Sequence, residues 1–96
     1  MDYDRRNATL NLTYPTVHLN GTGKEGLLNQ YREMGGAVRK AIQALQENGP
    51  HGRDYYVQDQ NAFTKAKDEH VSRLERLESV YKELADIAMN ISRQGR

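Results

Sequence analysis

Residues 61–92, NAFTKAKDEHVSRLERLESVYKELADIAMNIS, decide the fold. Phe63, Ala66, His70, Leu74, Leu77, Tyr81, Leu84, Ala88 and Ile91 recur at spacings of three and four, with Val71, Val80 and Ile87 beside them. That period places them on one face of an α-helix, and the charged residues between them fall on the other faces. Asn61 stands where an N-cap would be. A helix over 62–92 would be roughly 45 Å long.

A second periodic segment lies upstream. Leu27, Tyr31, Met34, Val38, Ala41 and Leu45 mark an apolar face about six turns long, broadened by Leu28 and Ile42. Thr22-Gly23-Lys24-Glu25 fits the capping-box pattern, and Asn48-Gly49-Pro50 supplies a left-handed stop followed by a residue that cannot continue a helix. The spacing predicts a helix over 23–47, roughly 35 Å long, joined to the second by a long loop over 48–61. The expected fold is all-α: a long antiparallel helical hairpin in a single domain spanning 1–96. Two helices leave much of each apolar face open, so a helical-bundle homo-oligomer is the expected completion.

The remaining N-terminal residues are less regular. Residues 1–9 are polar and without period, which predicts a frayed tail. Leu10, Leu12 and Tyr14 alternate with polar residues, and Pro15 follows, so 1–13 read as a flexible or extended arm that pairs with another subunit's arm or lies across the helices. Inside the first helix, Gly35-Gly36 costs roughly 1 kcal/mol per glycine relative to alanine. Close helix approach, a mild kink, or a ligand or partner backbone near this point would each account for the pair.

Composition narrows the function classes. The chain has 96 residues, 36% hydrophobic and 28% charged, with a mean hydropathy of −0.93, which suits solvated helices and disfavours a layered sheet core. A chain this short buries only about 60 to 65% of its unfolded surface, so partner chains would help. Lys and Arg number 14 against 13 Asp and Glu, giving a net charge of +1, a weak basis for nucleic-acid binding. With no cysteine, disulfides, thiolate catalysis and sulfur-ligated metals are excluded. No window approaches a membrane span and residues 1–6 lack a signal-peptide core, so a cytoplasmic location without membrane contact is expected, and the sequons at Asn7, Asn11 and Asn20 carry no weight as glycan acceptors.

Two polar loops hold the candidate chemistry. His18-Leu19-Asn20-Gly21-Thr22-Gly23-Lys24 feeds a helix N-terminus, where free N–H groups and the helix dipole favour an anion and Lys24 and Thr22 add a cation and a hydroxyl. Its spacing is not that of a P-loop, and a capped helix start explains the same residues. The 48–61 connection is longer than bundle loops usually are. It carries Arg53, a planar fork for phosphate, and Tyr55 and Tyr56, flat faces for stacking. An ordered loop whose tyrosines cover the bundle end is the alternative. His70 and Arg73 follow on the second helix. His70 with His51 and Asp54 matches no recognised metal spacing, no nucleophile motif stands beside them, and neither a cofactor nor catalysis is expected. The candidate ligand-binding residues are thus Asn20, Gly21, Thr22, Lys24, Arg53, Tyr55, Tyr56, His70 and Arg73. In a simple hairpin the two loops lie at opposite ends of the first helix, so only antiparallel association of two subunits would join them.

The runs His18-Leu19-Asn20-Gly21-Thr22, Gly52-Arg53-Asp54-Tyr55-Tyr56 and Glu69-His70 with Arg73 resemble those of small helical proteins encoded by bacteriophages and prophages, over roughly residues 14 to 91. In size and class the chain is also similar to phage sponges that sequester the nucleotide signals of bacterial immunity, from which no binding residues carry over. The resemblance implies a non-enzymatic, nucleotide-binding homo-oligomer acting in the host cytoplasm. A helical adaptor that binds a host or phage protein is the competing expectation.

Overall fold

The computed structural model describes residues 11–95. The expectations for residues 1–9 and for Leu10 fall outside them. Two helices, α1 (Lys24–Glu47) and α2 (Ala62–Ser92), pack against each other, and a 3-10 turn, Gly52–Asp54, interrupts the connection between them. The described residues contain no strand, and none of their helices is long and apolar enough to cross a membrane. Lys24 meets Gln94, Arg39 meets Tyr81 and Leu45 meets His70, so the pair is antiparallel.

The molecule measures 61 × 25 × 16 Å. Its smallest extent is little more than one helix diameter of about 10–12 Å, so the hairpin is a single layer. Ile87 and Ile91 are the only buried apolar residues among those described, and only Ile91 is fully enclosed. Met34 and Val80 are 41% and 42% exposed although both belong to the apolar pattern.

The helix seam differs from the expected stripe. Leu28, Tyr31, Gly35, Val38, Ile42 and Leu45 are the buried or half-buried positions at four-three spacing, while Met34 and Ala41 are exposed. Gly35 sits at the centre of the rotated seam. It is the buried residue of α1, and a Cβ there would lie 3.7 Å from the Tyr81 ring, so the notch left by the glycine receives the broadest side chain on the facing stretch of α2. Leu27, Met34 and Ala41, seven apart, then lie on one edge of α1. Arg32, Gly36, Arg39, Gln43 and Gln46, at four-three spacing, lie on the other.

The helix ends use devices other than the expected caps. The capping box does not form: α1 has Gly23 as N-cap at φ 91, a backbone conformation suited to glycine, with no side-chain cap bond. The first helical bond runs from Leu27 N–H to the Gly23 carbonyl at 3.0 Å. Thr22 instead rests its methyl on Gly26, where a Cβ would come within 2.9 Å. Asn61 makes no side-chain cap either; Asp59 Oδ1 accepts from Asn61 N–H at 2.8 Å just before α2. At the other end of α1 no residue is left-handed. The Asn48 side chain donates to the Ala44 carbonyl at 2.7 Å, and His70 Nε2 lies 2.6 Å from the Leu45 carbonyl, which satisfies carbonyls the helix leaves orphaned.

Residues 14–17 lie along the C-terminal part of α2; of the arm expected over 1–13, only 11–13 are among the described residues. Gln94 is the clasp. Its Oε1 accepts from Val17 N–H at 2.7 Å, its Nε2 donates to the Pro15 carbonyl at 2.8 Å, and its own carbonyl accepts from Lys24 Nζ at 2.8 Å. One turn or two earlier, Tyr14 donates to Asp86 Oδ2 at 3.0 Å.

That hydrogen bond, with burial and the carboxylate charge behind it, raises the Tyr14 hydroxyl above its ordinary value of 10.0. A tyrosine whose folded pKa is raised contributes stability that is fully present below pH 10.0 and is lost as pH rises through the folded value. Melting temperatures followed by circular dichroism should therefore fall more steeply above that pH for the wild type than for Tyr14→Phe. Parallel curves would show that the contact contributes nothing. A separate expectation concerns Gly36, which is exposed and where a Cβ would meet nothing within 4 Å. Gly36→Ala should stabilise the helix by roughly 1 kcal/mol, read from denaturant unfolding.

Candidate functional site

The two loops sit at opposite ends of the hairpin, separated by the length of α1, about 35 Å. At one end the His18–Lys24 segment turns through a Gly21 N–H to His18 carbonyl bond of 3.1 Å, with the His18 imidazole packed where a Gly21 Cβ would be. Asn20, Gly21 and Thr22 are exposed. Lys24 is already engaged: its ammonium binds the Gln94 carbonyl just beyond the end of α2, where a cation also complements the helix dipole.

At the other end the 3-10 turn is built on Phe63. Gly52 approaches that ring closely enough that a Cβ would lie 3.6 Å from it, Tyr55 packs at 6.1 Å between centroids with a 32° tilt, and Lys67 Nζ lies 5.0 Å from the ring centroid. These contacts make Tyr55 half-buried and hold the turn against α2. Tyr56 and Val57, next along the chain, are 75% and 80% exposed, and Arg53 and Arg73 are exposed as well. Among the described residues, Arg53, Tyr56 and Arg73 have no side-chain hydrogen bond or ion pair. His70 is committed to the Leu45 carbonyl. The structure therefore separates the sequence-derived residues into two groups: Lys24, Tyr55 and His70 fasten elements together, and Arg53, Tyr56, Arg73, Asn20, Gly21 and Thr22 face solvent.

The turn end also has a cavity of about 250 Å³, lined by Tyr55, Gln58, Asp59, Ala62, Lys65 and neighbours on α2. Pockets that enclose small ligands usually run to about 300–1,000 Å³, so one chain does not surround a nucleotide here. Among the described residues no three His, Asp or Glu side chains converge on a metal position, so His51, Asp54 and His70 form no such cluster.

No protein family, curated protein or solved structure matches this chain.

One arrangement escaped the sequence reading. Midway along the hairpin, Arg39 crosses from α1 to α2, its Nη1 donating to the Tyr81 hydroxyl at 3.3 Å and its Cζ lying 5.6 Å from the Tyr81 ring centroid. Cavities of about 590 Å³ and about 320 Å³ flank this pair. Gly35-Gly36 was the available signal, since one glycine seats Tyr81 and the next lines the smaller cavity.

The division between fastening and free residues has a measurable consequence. His70→Ala removes a half-buried hydrogen bond and the packing on Gly49, and should cost about 1–3 kcal/mol in denaturant unfolding. Arg53→Ala and Tyr56→Ala should stay within about 0.5 kcal/mol of wild type. A large loss at Arg53 or Tyr56 would mean that these residues hold the fold and are not free for a ligand.

Proposed function

We propose that the chain is a non-enzymatic phage protein that assembles as a homo-oligomer in the host cytoplasm and sequesters a phosphate-bearing small molecule, a nucleotide signal of bacterial immunity. The observation that carries the reading is that the Arg53 guanidinium and the Tyr56 ring, three residues apart on the connection, are both exposed and unengaged at one end of a hairpin only one helix thick. A guanidinium grips phosphate bidentately and a tyrosine face stacks on a base. The small cavity at the same end, lined by Tyr55 and residues of α2 and not by Arg53 or Tyr56, would need another subunit to join it to them.

Assembly follows from the exposed apolar edge. Met34 and Ala41 on α1 and Val80 on α2, with the half-buried Leu27 in line with them, form a surface left open by the single layer, and a second copy would cover it as the second layer of a bundle. An antiparallel arrangement would bring Asn20, Gly21, Thr22 and Lys24 of one copy toward Arg53, Tyr55, Tyr56, His70 and Arg73 of another. Lys24 and His70 each hold one helix to the end of the other, a structural role that supports a binding reading over a catalytic one.

A helical adaptor is the second reading. It is favoured by Leu19, Tyr56 and Val57, which present large apolar surface at the two tips. Native mass spectrometry of protein purified from bacteria expressing nucleotide-signalling defence systems separates the two. A discrete oligomer carrying a nucleotide-sized mass, released intact on denaturation and absent from Arg53→Ala, is the expected result. An oligomer without adduct in every such background would replace sequestration with protein binding, and a monomer would remove the assembly.

A further inference from the structure

The edge of the hairpin formed by Arg32, Gly36, Arg39, Gln43 and Gln46 is continued on α2 by Glu78, Lys82 and Ala85, again at four-three spacing. The two mid-hairpin cavities lie along it and meet at Arg39 and Tyr81, which line both. They differ in chemistry. The larger is bordered by Arg39, Lys82, Gln43, Gln46 and Glu78, and the smaller has Gly36, Leu84, Ala85 and Ala88 among its walls.

We propose that this groove binds a small molecule made of a flat ring bearing a phosphate or carboxylate. The ring lies over Gly36 against Leu84, Ala85 and Ala88, and the anion meets Arg39 and Lys82.

Gly36 is the first support. Within the chain nothing requires a glycine there, since a Cβ would meet no atom within 4 Å, whereas its neighbour Gly35 seats Tyr81. A bare backbone on the open side of a helix leaves a flat floor, and a branched side chain such as leucine would project into the smaller cavity. Charge is the second support. Arg39, Lys82 and, at the far rim, Arg32 outnumber the single carboxylate of Glu78. Arg39 spends one donor on Tyr81 and keeps the rest of its fork. Arg32 donates to Asn29 Oδ1 at 2.9 Å and pairs with Glu25 at 3.9 Å, both exposed contacts that leave its remaining donors for a ligand anion. Both cavities also fall within the volume range of ligand pockets.

The site shares its ligand chemistry with the sequestration reading but none of its residues. Arg53 and Tyr56 have no part in it, so the two fail separately.

The test is a nuclear magnetic resonance titration of the isotope-labelled full chain with AMP and with naphthoate, using inorganic phosphate as the ring-free control. Saturable shifts at Gly36, Arg39, Ala85 and Ala88 are expected with both ring-bearing probes, with phosphate alone at least about tenfold weaker. Arg39→Gln should weaken binding about tenfold or more, the loss of one charge-assisted hydrogen bond, while Lys40→Gln, at an exposed residue of α1 outside both cavities, leaves it unchanged. Gly36→Leu should abolish the ring-dependent shifts and keep the helix content. Should that variant fold poorly, the surface variant Arg39→Gln decides alone. Shifts confined to the hairpin ends, no saturable shift with either ring-bearing probe, or unaltered binding in Gly36→Leu would each overturn the proposal. So would a Gly36→Leu variant whose subunit number changes while its AMP binding does not, for the glycine then serves packing between copies.

Discussion

Two amphipathic helices laid side by side can each bury only the stripe that faces the other. In this chain that limit is reached with a thickness of 16 Å and with Ile87 and Ile91 as the only buried apolar residues among those described. Everything else follows from how the remaining surface is used. Residues 14–17 are fastened over the C-terminal part of α2, and the turn around Gly52 is fastened to Phe63. Between these two ends neither face of the hairpin has a covering layer from the described residues. Burial in a chain of this size gains little per residue, and hydrogen bonds from side chains to orphaned carbonyls supply order where packing does not.

Those bonds explain why several polar residues that look chemically equipped are structural. The Leu45 carbonyl, near the C-terminus of α1, lies against His70 from the opposite helix, and the Gln94 carbonyl beyond α2 receives Lys24 from the opposite helix. Each contact crosses the seam at one end of the hairpin, so the pair fixes the register of α1 on α2. A histidine or lysine placed this way is indistinguishable in sequence from a ligand-binding one. Arg53 and Tyr56 differ in that no such element needs them, and this gives them more weight as binding residues than their type alone would.

The helices themselves were readable because period is a one-dimensional property: α2 is visible in the spacing of Phe63 through Ile91, and the Asn48-Gly49-Pro50 break marks the end of α1. What sequence could not give was the rotation of α1 about its axis. Leu27, Met34 and Ala41 form as good an apolar line as Leu28, Val38 and Ile42, and it is the packing against α2, with Tyr81 lying on Gly35, that distinguishes the second line as the seam. The caps failed for a related reason. Thr22 and Asn61 have the right chemistry, but the path of the chain before each helix, set by the positive φ of Gly23 and the Asp59 turn, points their side chains elsewhere. The loop residues could be chosen by type, yet whether each was free or engaged depended on contacts across more than twenty residues of sequence, as between Leu45 and His70.

The same rotation gives the hairpin two unlike edges. By turning Gly35 inward, α1 sends Met34 and Ala41 to one side and Arg32, Gly36 and Arg39 to the other. The first edge carries exposed Met34, Ala41 and Val80, with Arg73 and Arg76 bordering Val80 on α2, so it is the more apolar of the two without being wholly so. The opposite edge is a poor surface for burial against another copy, since Arg39, Lys82 and Glu78 would all have to be desolvated there. It is better suited to a partner that brings its own charge and leaves the side chains partly wet. Had Gly35 and Gly36 been alanine, the helix would be more stable, but the Tyr81 notch and the open floor beside it would both be shallower. The pair lowers helix propensity at the one point where the seam and the groove are set together.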